Sequence, residues 1–289
     1  MTIGNRRFKA GHTYIMGILN LTPDSFSDGG SCCTLEDALD RAEEMISDGA
    51  DVIDIGGEST RPGYTQISAD EEIRRIIPAV FAIKRMFDIP VSVDTYKAGV
   101  AEAALSAGAD MINDIWGLRY PKEKNNGRRM ADVIAESGAV CCIMHNREQS
   151  GDTRDALKKG ERDADGNAPE IEEIVVQGFR KSLEIAEKAG ILHENIILDP
   201  GIGFGKDYAE NMKLMRNLDR VKIDDYPMLL GASRKSVIGT TLGLPAGERL
   251  EGTLATTAAA VAAGFMFARV HDIKENKRFI QMFEALRKE

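Results

Sequence analysis

Eight apolar runs cross the 289-residue chain, and each stops at a polar residue. The runs at 14–19, 51–57, 90–93 and 111–112 stop at Asn20, Glu58, Asp94 and Asn113. Those at 140–144, 196–198, 228–232 and 265–270 stop at His145, Asp199, Ser233 and His271. Stretches with helical spacing fill the intervals. In the first of these, Leu35, Ala38, Leu39, Ala42, Met45 and Ile46 recur three and four apart, the spacing of one buried stripe. Gly49, Gly108, Gly138 and Gly190 each follow a helical stretch, where a residue that tolerates positive φ ends the helix before the next strand. Parallel strands closed into a barrel all point one way, so the residues that end them meet at one face. The pattern predicts an α/β fold, a single (β/α)8 TIM barrel over residues 1–289. A short N-terminal lead-in would cover the barrel bottom, with long loops after the first, second and fifth strands. An open doubly wound sheet fits less well, because no G-x-G-x-x-G follows the first strand.

The bulk numbers narrow the partners. A hydrophobic fraction of 43% beside 29% charged residues is ordinary for a globular protein. A formal net charge of −9 repels nucleic acid and anionic membranes, yet leaves room for an anionic small molecule at a local basic cluster. Cys32-Cys33 and Cys141-Cys142 are adjacent pairs without metal-ligand spacing, and they read as reduced thiols. No run has the length of a membrane span, and the N-terminus lacks the apolar stretch of a signal peptide. A cytoplasmic location is expected.

The strand ends carry the chemistry. Asn20 closes the first strand, where its amide oxygen could help hold a hard cation. Arg61 offers a planar fork for a carboxylate or phosphate. Asp94 and Asp199 end strands as lone carboxylates, each readable as a catalytic-face acid or as a helix cap. Ser233-Arg234-Lys235-Ser236 and Arg269-Val270-His271 form a basic cluster at the last two strands, a common place for phosphate in barrels. His12, His145 and His193 suit structural or surface roles. The stretch 147–169, charged and glycine-containing, reads as a solvated insertion.

Seven blocks, in order and each at a strand end, are similar to the dihydropteroate synthases. They are Met16–Gly30 in numbers 16–30, then 54–63, 92–95, 112–114, 199–206, 233–239 and 269–272. The chain departs from the family's pattern after the fifth strand, where Met144-His145-Asn146-Arg147 runs into the charged insertion. The resemblance implies condensation of 6-hydroxymethyl-7,8-dihydropterin pyrophosphate with 4-aminobenzoate, with Mg2+ as cofactor. It assigns the pterin to Asp94, Asn113, Asp199, Phe204 and Lys235, and the pyrophosphate to Asn20, Arg269 and His271. Asp94, Lys235, Arg269 and His271 are the expected catalytic residues, and Asn20 the expected metal ligand. Phe26, Asp28, Thr60, Arg61, Pro62 and Ser236 would border the aminobenzoate. A homodimer is expected. Rival readings are a methyltetrahydrofolate–corrinoid methyltransferase, a non-catalytic pterin-binding barrel, and a phosphate-binding aldolase or isomerase recruiting Lys235 or Glu58. The first needs no pyrophosphate site, and the second would be expected to lose Asn20, Asp94 or His271.

Overall fold

The computed structural model describes residues 1–22, 34–59, 65–121, 125–147 and 169–287. The expectations for Phe26, Asp28, Thr60, Arg61, Pro62, Cys32, Cys33 and the span 148–168 of the insertion lie outside the described residues.

A short antiparallel pair, β1 (Thr2–Ile3) and β2 (Arg6–Arg7), precedes eight parallel strands. These are β3 (Tyr14–Asn20), β4 (Val52–Gly56), β5 (Val91–Asp94), β6 (Met111–Asp114), β7 (Val140–Met144), β8 (Ile196–Asp199), β9 (Leu229–Leu230) and β10 (Phe267–Val270). Their order is β8-β7-β6-β5-β4-β3-β10-β9, and a parallel bridge from Leu198 to Met228 joins the two ends. The barrel predicted from the sequence is therefore observed. Around it lie α1 (Leu35–Ser47), α2 (Ala69–Met86), α3 (Ala98–Ser106), α4 (Met130–Ser137), α5 (Ile171–Ala189), α6 (Tyr208–Arg216), α7 (Ser236–Leu242), α8 (Leu250–Ala262) and α9 (Ile273–Arg287).

Strand alternation sorts the side chains into two layers. Ile15, Ile53, Val93, Ile112, Ile143, Leu198, Leu230 and Ala268 face outward into one core with the helices. Met16, Val52, Met111, Val140, Ile197, Leu229 and Phe267 face inward and fill the lower barrel, where Ile3 and Phe8 of the N-terminal lead-in plug it. The rings of Phe8 and Phe267 lie 5.3 Å apart. Successive same-face residues on a strand are two apart. One step up the interior from Val52, Ser92, Met111, Ile197 and Phe267 come Asp54, Asp94, Asn113, Asp199 and Arg269. The barrel is thus apolar at its base and polar at its mouth, a split written in the parity of the strands.

Two helical details bear on the mouth. The residue that caps α3 is Lys97, with no side-chain bond to the helix, so Asp94 is not a cap and keeps its carboxylate in the barrel. Helix α7 was not expected from the sequence, and it begins at Ser236, directly after Lys235.

Candidate active site

Asp54 lies at the floor of the polar mouth and is fully buried. Its Oδ2 accepts from Arg269 Nε at 2.6 Å and from Asn113 Nδ2 at 3.2 Å. Arg269 Nη2 donates to Asp94 Oδ2 at 2.8 Å. Arg269 therefore bridges two carboxylates. Burial opposes its charge, but Asp54 and Asp94 overturn that and hold the guanidinium charged. Burial pushes the Asp94 carboxyl up to about 7; Arg269 opposes the shift and Asp54 adds to it.

Across the mouth, Asp199 Oδ1 accepts from Gly201 N at 2.8 Å, and burial raises its carboxyl against the pull of Lys235. Lys235 Nζ donates to Ile202 O at 2.5 Å and lies 4.5 Å from the centroid of the Phe204 ring. Burial lowers the lysine to about 8, with Asp199 acting in the opposite sense. Gly231 occupies the interior position of β9's continuation. A Cβ there would lie 3.4 Å from Asp199 Oδ2, 3.9 Å from Arg269 Cδ and 4.0 Å from Lys235 Nζ. Charged groups from β8, from β10 and from the segment that leads into α7 thus surround a residue with no side chain, which leaves the recess open.

His271 follows β10, and its Nδ1 lies 3.0 Å from Ser233 Oγ, which fixes the imidazole beside the end of β9. Ser236 is exposed at the start of α7. On β3, which pairs directly with β10, Asn20 Oδ1 lies 3.4 Å from where a Cβ on Gly56 would sit, and Asp94 Cβ lies 3.8 Å from it. Asn20 and Asp94 accordingly flank one glycine. Among the described residues no group of three or more His, Cys, Asp or Glu could hold a metal. A divalent ion here would need most of its oxygens from a bound phosphate group, with Asn20 as the protein donor. Mg2+ accepts such an arrangement, since it keeps waters and binds through substrate phosphates instead of protein cages.

The described residues assigned to the pterin and pyrophosphate thus gather at one mouth: Asn20, Asp94, Asn113, Asp199, Phe204, Lys235, Arg269 and His271. One member of the expected basic cluster does not join them. Arg234 has positive φ (56°) and turns to Asp272, with Nε 3.0 Å from Oδ2. It is an outer ion pair, and the basic cluster is smaller than the sequence suggests. Glu58 is also no strand-end base. It accepts from Tyr96 Oη at 2.6 Å, Lys97 Nζ at 2.7 Å and Ile67 N at 2.8 Å, so its carboxylate is occupied as a strut. Lys97 bonds Glu72 as well, at 2.6 Å. His145 is 1% exposed and burial holds it well below its usual range, in keeping with a structural role.

Sequence reasoning missed Asp54 and Lys206. Lys206 Nζ donates to the carbonyls of Gly201 at 2.8 Å, Phe204 at 3.1 Å and His145 at 3.3 Å, and burial lowers it to about 7. The parity of β4 with its neighbours could have revealed Asp54, because it follows inward-facing Val52 by two. Nothing in the sequence marks a lysine that gathers three carbonyls.

Known relatives identify the family. The family described as pterin binding enzyme matches residues 16–271. A dihydropteroate synthase from Clostridium beijerinckii is 49% identical over 99% of this chain and 99% of its own length. The crystal structure of a Clostridium difficile dihydropteroate synthase in the presence of pteroic acid has 46% identity and a TM-score of 0.86, covering 98% of this chain and 100% of that one. A Yersinia pestis dihydropteroate synthase in complex with a sulfonamide drug has 38% identity and a TM-score of 0.86, covering 99% and 98%. High identity over nearly the whole length, on the same fold, leaves no room for the rival barrels, and the chain belongs to the dihydropteroate synthase family of pterin-binding enzymes.

Proposed function

We propose that this transferase joins 6-hydroxymethyl-7,8-dihydropterin pyrophosphate to 4-aminobenzoate, giving 7,8-dihydropteroate and pyrophosphate. The observation that carries the reading is the single polar mouth shared by Asp94, Asn113, Asp199 and Lys235 with Arg269 and His271. Pteroic acid, named with the Clostridium difficile relative, contains a pterin and an aminobenzoate joined through one methylene, the bond that this reaction makes.

The pterin ring sits in the recess with its N–H groups toward Asp94, Asn113 and Asp199, and Phe204 and Lys235 cover it. Side-by-side acceptors orient a ring that carries adjacent donors. The methylene C–O bond breaks with its electron pair passing to pyrophosphate, and the amine nitrogen forms the new C–N bond, then loses a proton. Charge therefore separates in the transition state. Arg269 and His271 face the developing negative charge, and ionised Asp94 faces the positive methylene. The arylamine is neutral near pH 7, so it needs no strong base before attack. Phe26, Asp28, Thr60, Arg61, Pro62 and Ser236 are assigned to the aminobenzoate on the family resemblance. Asn20 would hold Mg2+ together with pyrophosphate oxygens, and the ion would neutralise charge on the leaving group. The same proposal has a cytoplasmic homodimer, to be checked by sedimentation and cell fractionation.

The test is product formation by the purified chain. Dihydropteroate and pyrophosphate should appear one to one, require both substrates, and stop when Mg2+ is chelated. Pyrophosphate release without 4-aminobenzoate would identify a hydrolase and overturn the reading.

A further inference from the structure

Asn113 can face a ligand with either end of its amide, and the two ends have opposite hydrogen-bonding sense. One presents an acceptor oxygen and the other two donor hydrogens. In the barrel the choice is made from below. Asn113 Nδ2 points to Asp54 Oδ2 at 3.2 Å, and this oxygen acts as an acceptor, so the amide oxygen cannot take that place. The same Oδ2 takes Arg269 Nε at 2.6 Å, while Asp54 Oδ1 meets no donor among the described residues. One fully buried oxygen therefore orders two side chains of the mouth at once. Asn113 and Arg269 come from β6 and β10, which are not neighbours in the sheet, and β4 carries the group that ties them.

We propose that Asp54 is a positioning residue that sets the ligand preference of the pocket: it turns the Asn113 oxygen to the recess, so that with Asp94 and Asp199 the recess presents acceptors. An aminopyrimidinone edge, rich in N–H donors, matches that lining, and a dioxopyrimidine edge that exchanges the amino group for an oxygen does not. A site built for one hydrogen-bonding pattern rejects the analogue that leaves buried groups unmatched. The role differs from mere neutralisation of Arg269, since Asp94 already supplies that cation with a carboxylate at 2.8 Å. The inference rests on the pterin reading above and specifies which side chain makes that site selective.

The experiment measures equilibrium binding of 6-hydroxymethylpterin and of its 2-oxo analogue to the full chain. The wild type should prefer the amino compound by tenfold or more. Asp54→Asn offers Asn113 both an acceptor and a donor, so the amide loses its fixed sense and the preference should fall to within about threefold of unity. The exchange Asp54→Asn with Asn113→Asp restores a donor–carboxylate contact and an acceptor toward the recess, and should regain the preference. This second variant also decides the matter if Asp54→Asn fails to fold. Equal weakening of both ligands in Asp54→Asn, or an exchange variant that folds without preference, would overturn the proposal. A wild type that binds neither compound would instead remove the pterin reading, and this inference with it.

Discussion

Asp94→Asn isolates the charge of the carboxylate that the proposed reaction sets against the methylene. The substitution keeps size, and its amide oxygen can still accept from Arg269 Nη2, 2.8 Å away in the native pair. What disappears is one unit of negative charge. Two unit charges about 4 Å apart at an effective dielectric near 20 interact by roughly 4 kcal/mol. Arg269 already draws on part of that field, so about 3 kcal/mol, or a rate loss of about 10²-fold, is the expected cost. Burial raises the Asp94 carboxyl to about 7, which fixes the sign of the pH dependence. Below that pH the group is protonated and cannot stabilise the cation, so kcat/KM, which reports the groups of the free enzyme, should fall as pH drops through about 7. Single-turnover kinetics between pH 5.5 and 8.5, with both KM values, separate these effects. The variant should lose turnover with modest KM changes, and it should lack the acid limb. Near-normal kcat with only a raised KM, or the same acid limb in both proteins, would refute the electrostatic role.

Lys97→Met leaves Glu58 and Glu72 buried without their shared cation, which should cost about 3–5 kcal/mol in urea unfolding at pH 8. Burial already raises the Glu72 carboxyl and Lys97 opposes it, so the variant's carboxyl goes higher; a raised folded-state value favours folding at low pH and is lost as pH rises, and the deficit should therefore shrink at pH 5. An equal deficit at both pH values would contradict the charge argument. Gly201→Ala places a Cβ 2.0 Å from His145 O at a φ of +68°, and should lower both the Tm and pterin affinity; an unchanged Tm would show that the loop has an alternative path. Sulfonamides should compete with 4-aminobenzoate in steady-state inhibition, as the complex of the Yersinia pestis relative suggests, and inhibition independent of aminobenzoate concentration would contradict a shared site.

The barrel was legible because each apolar run ended on a polar residue and four of the helices, α1, α3, α4 and α5, gave way to glycine at Gly49, Gly108, Gly138 and Gly190. What escaped notice was local. Helix α7, Ser236–Leu242, is too short to show a period, and β9 keeps only Leu229–Leu230 in the ladder. In the site, Asp94, Asn113 and Asp199 stood out because they close apolar runs, and Lys235 because it lies in the basic stretch after the seventh run. Asp54 was hidden by its position inside an apolar run, where only the inward parity of Val52 gives it away. Lys206 reads as a solvated lysine, because its three carbonyl partners come from two loops far apart in sequence. Arg234 misled for the opposite reason: proximity to Lys235 suggested one cluster, but its positive φ turns it to Asp272.

The most direct test is a crystal structure of this chain with the pterin pyrophosphate bound. The account predicts the ring among Asp94, Asn113, Asp199 and Lys235, with the Asn113 oxygen toward the ligand and the pyrophosphate against Arg269 and His271. A ring outside the polar mouth, or a pyrophosphate directed away from Arg269 and His271, would contradict it.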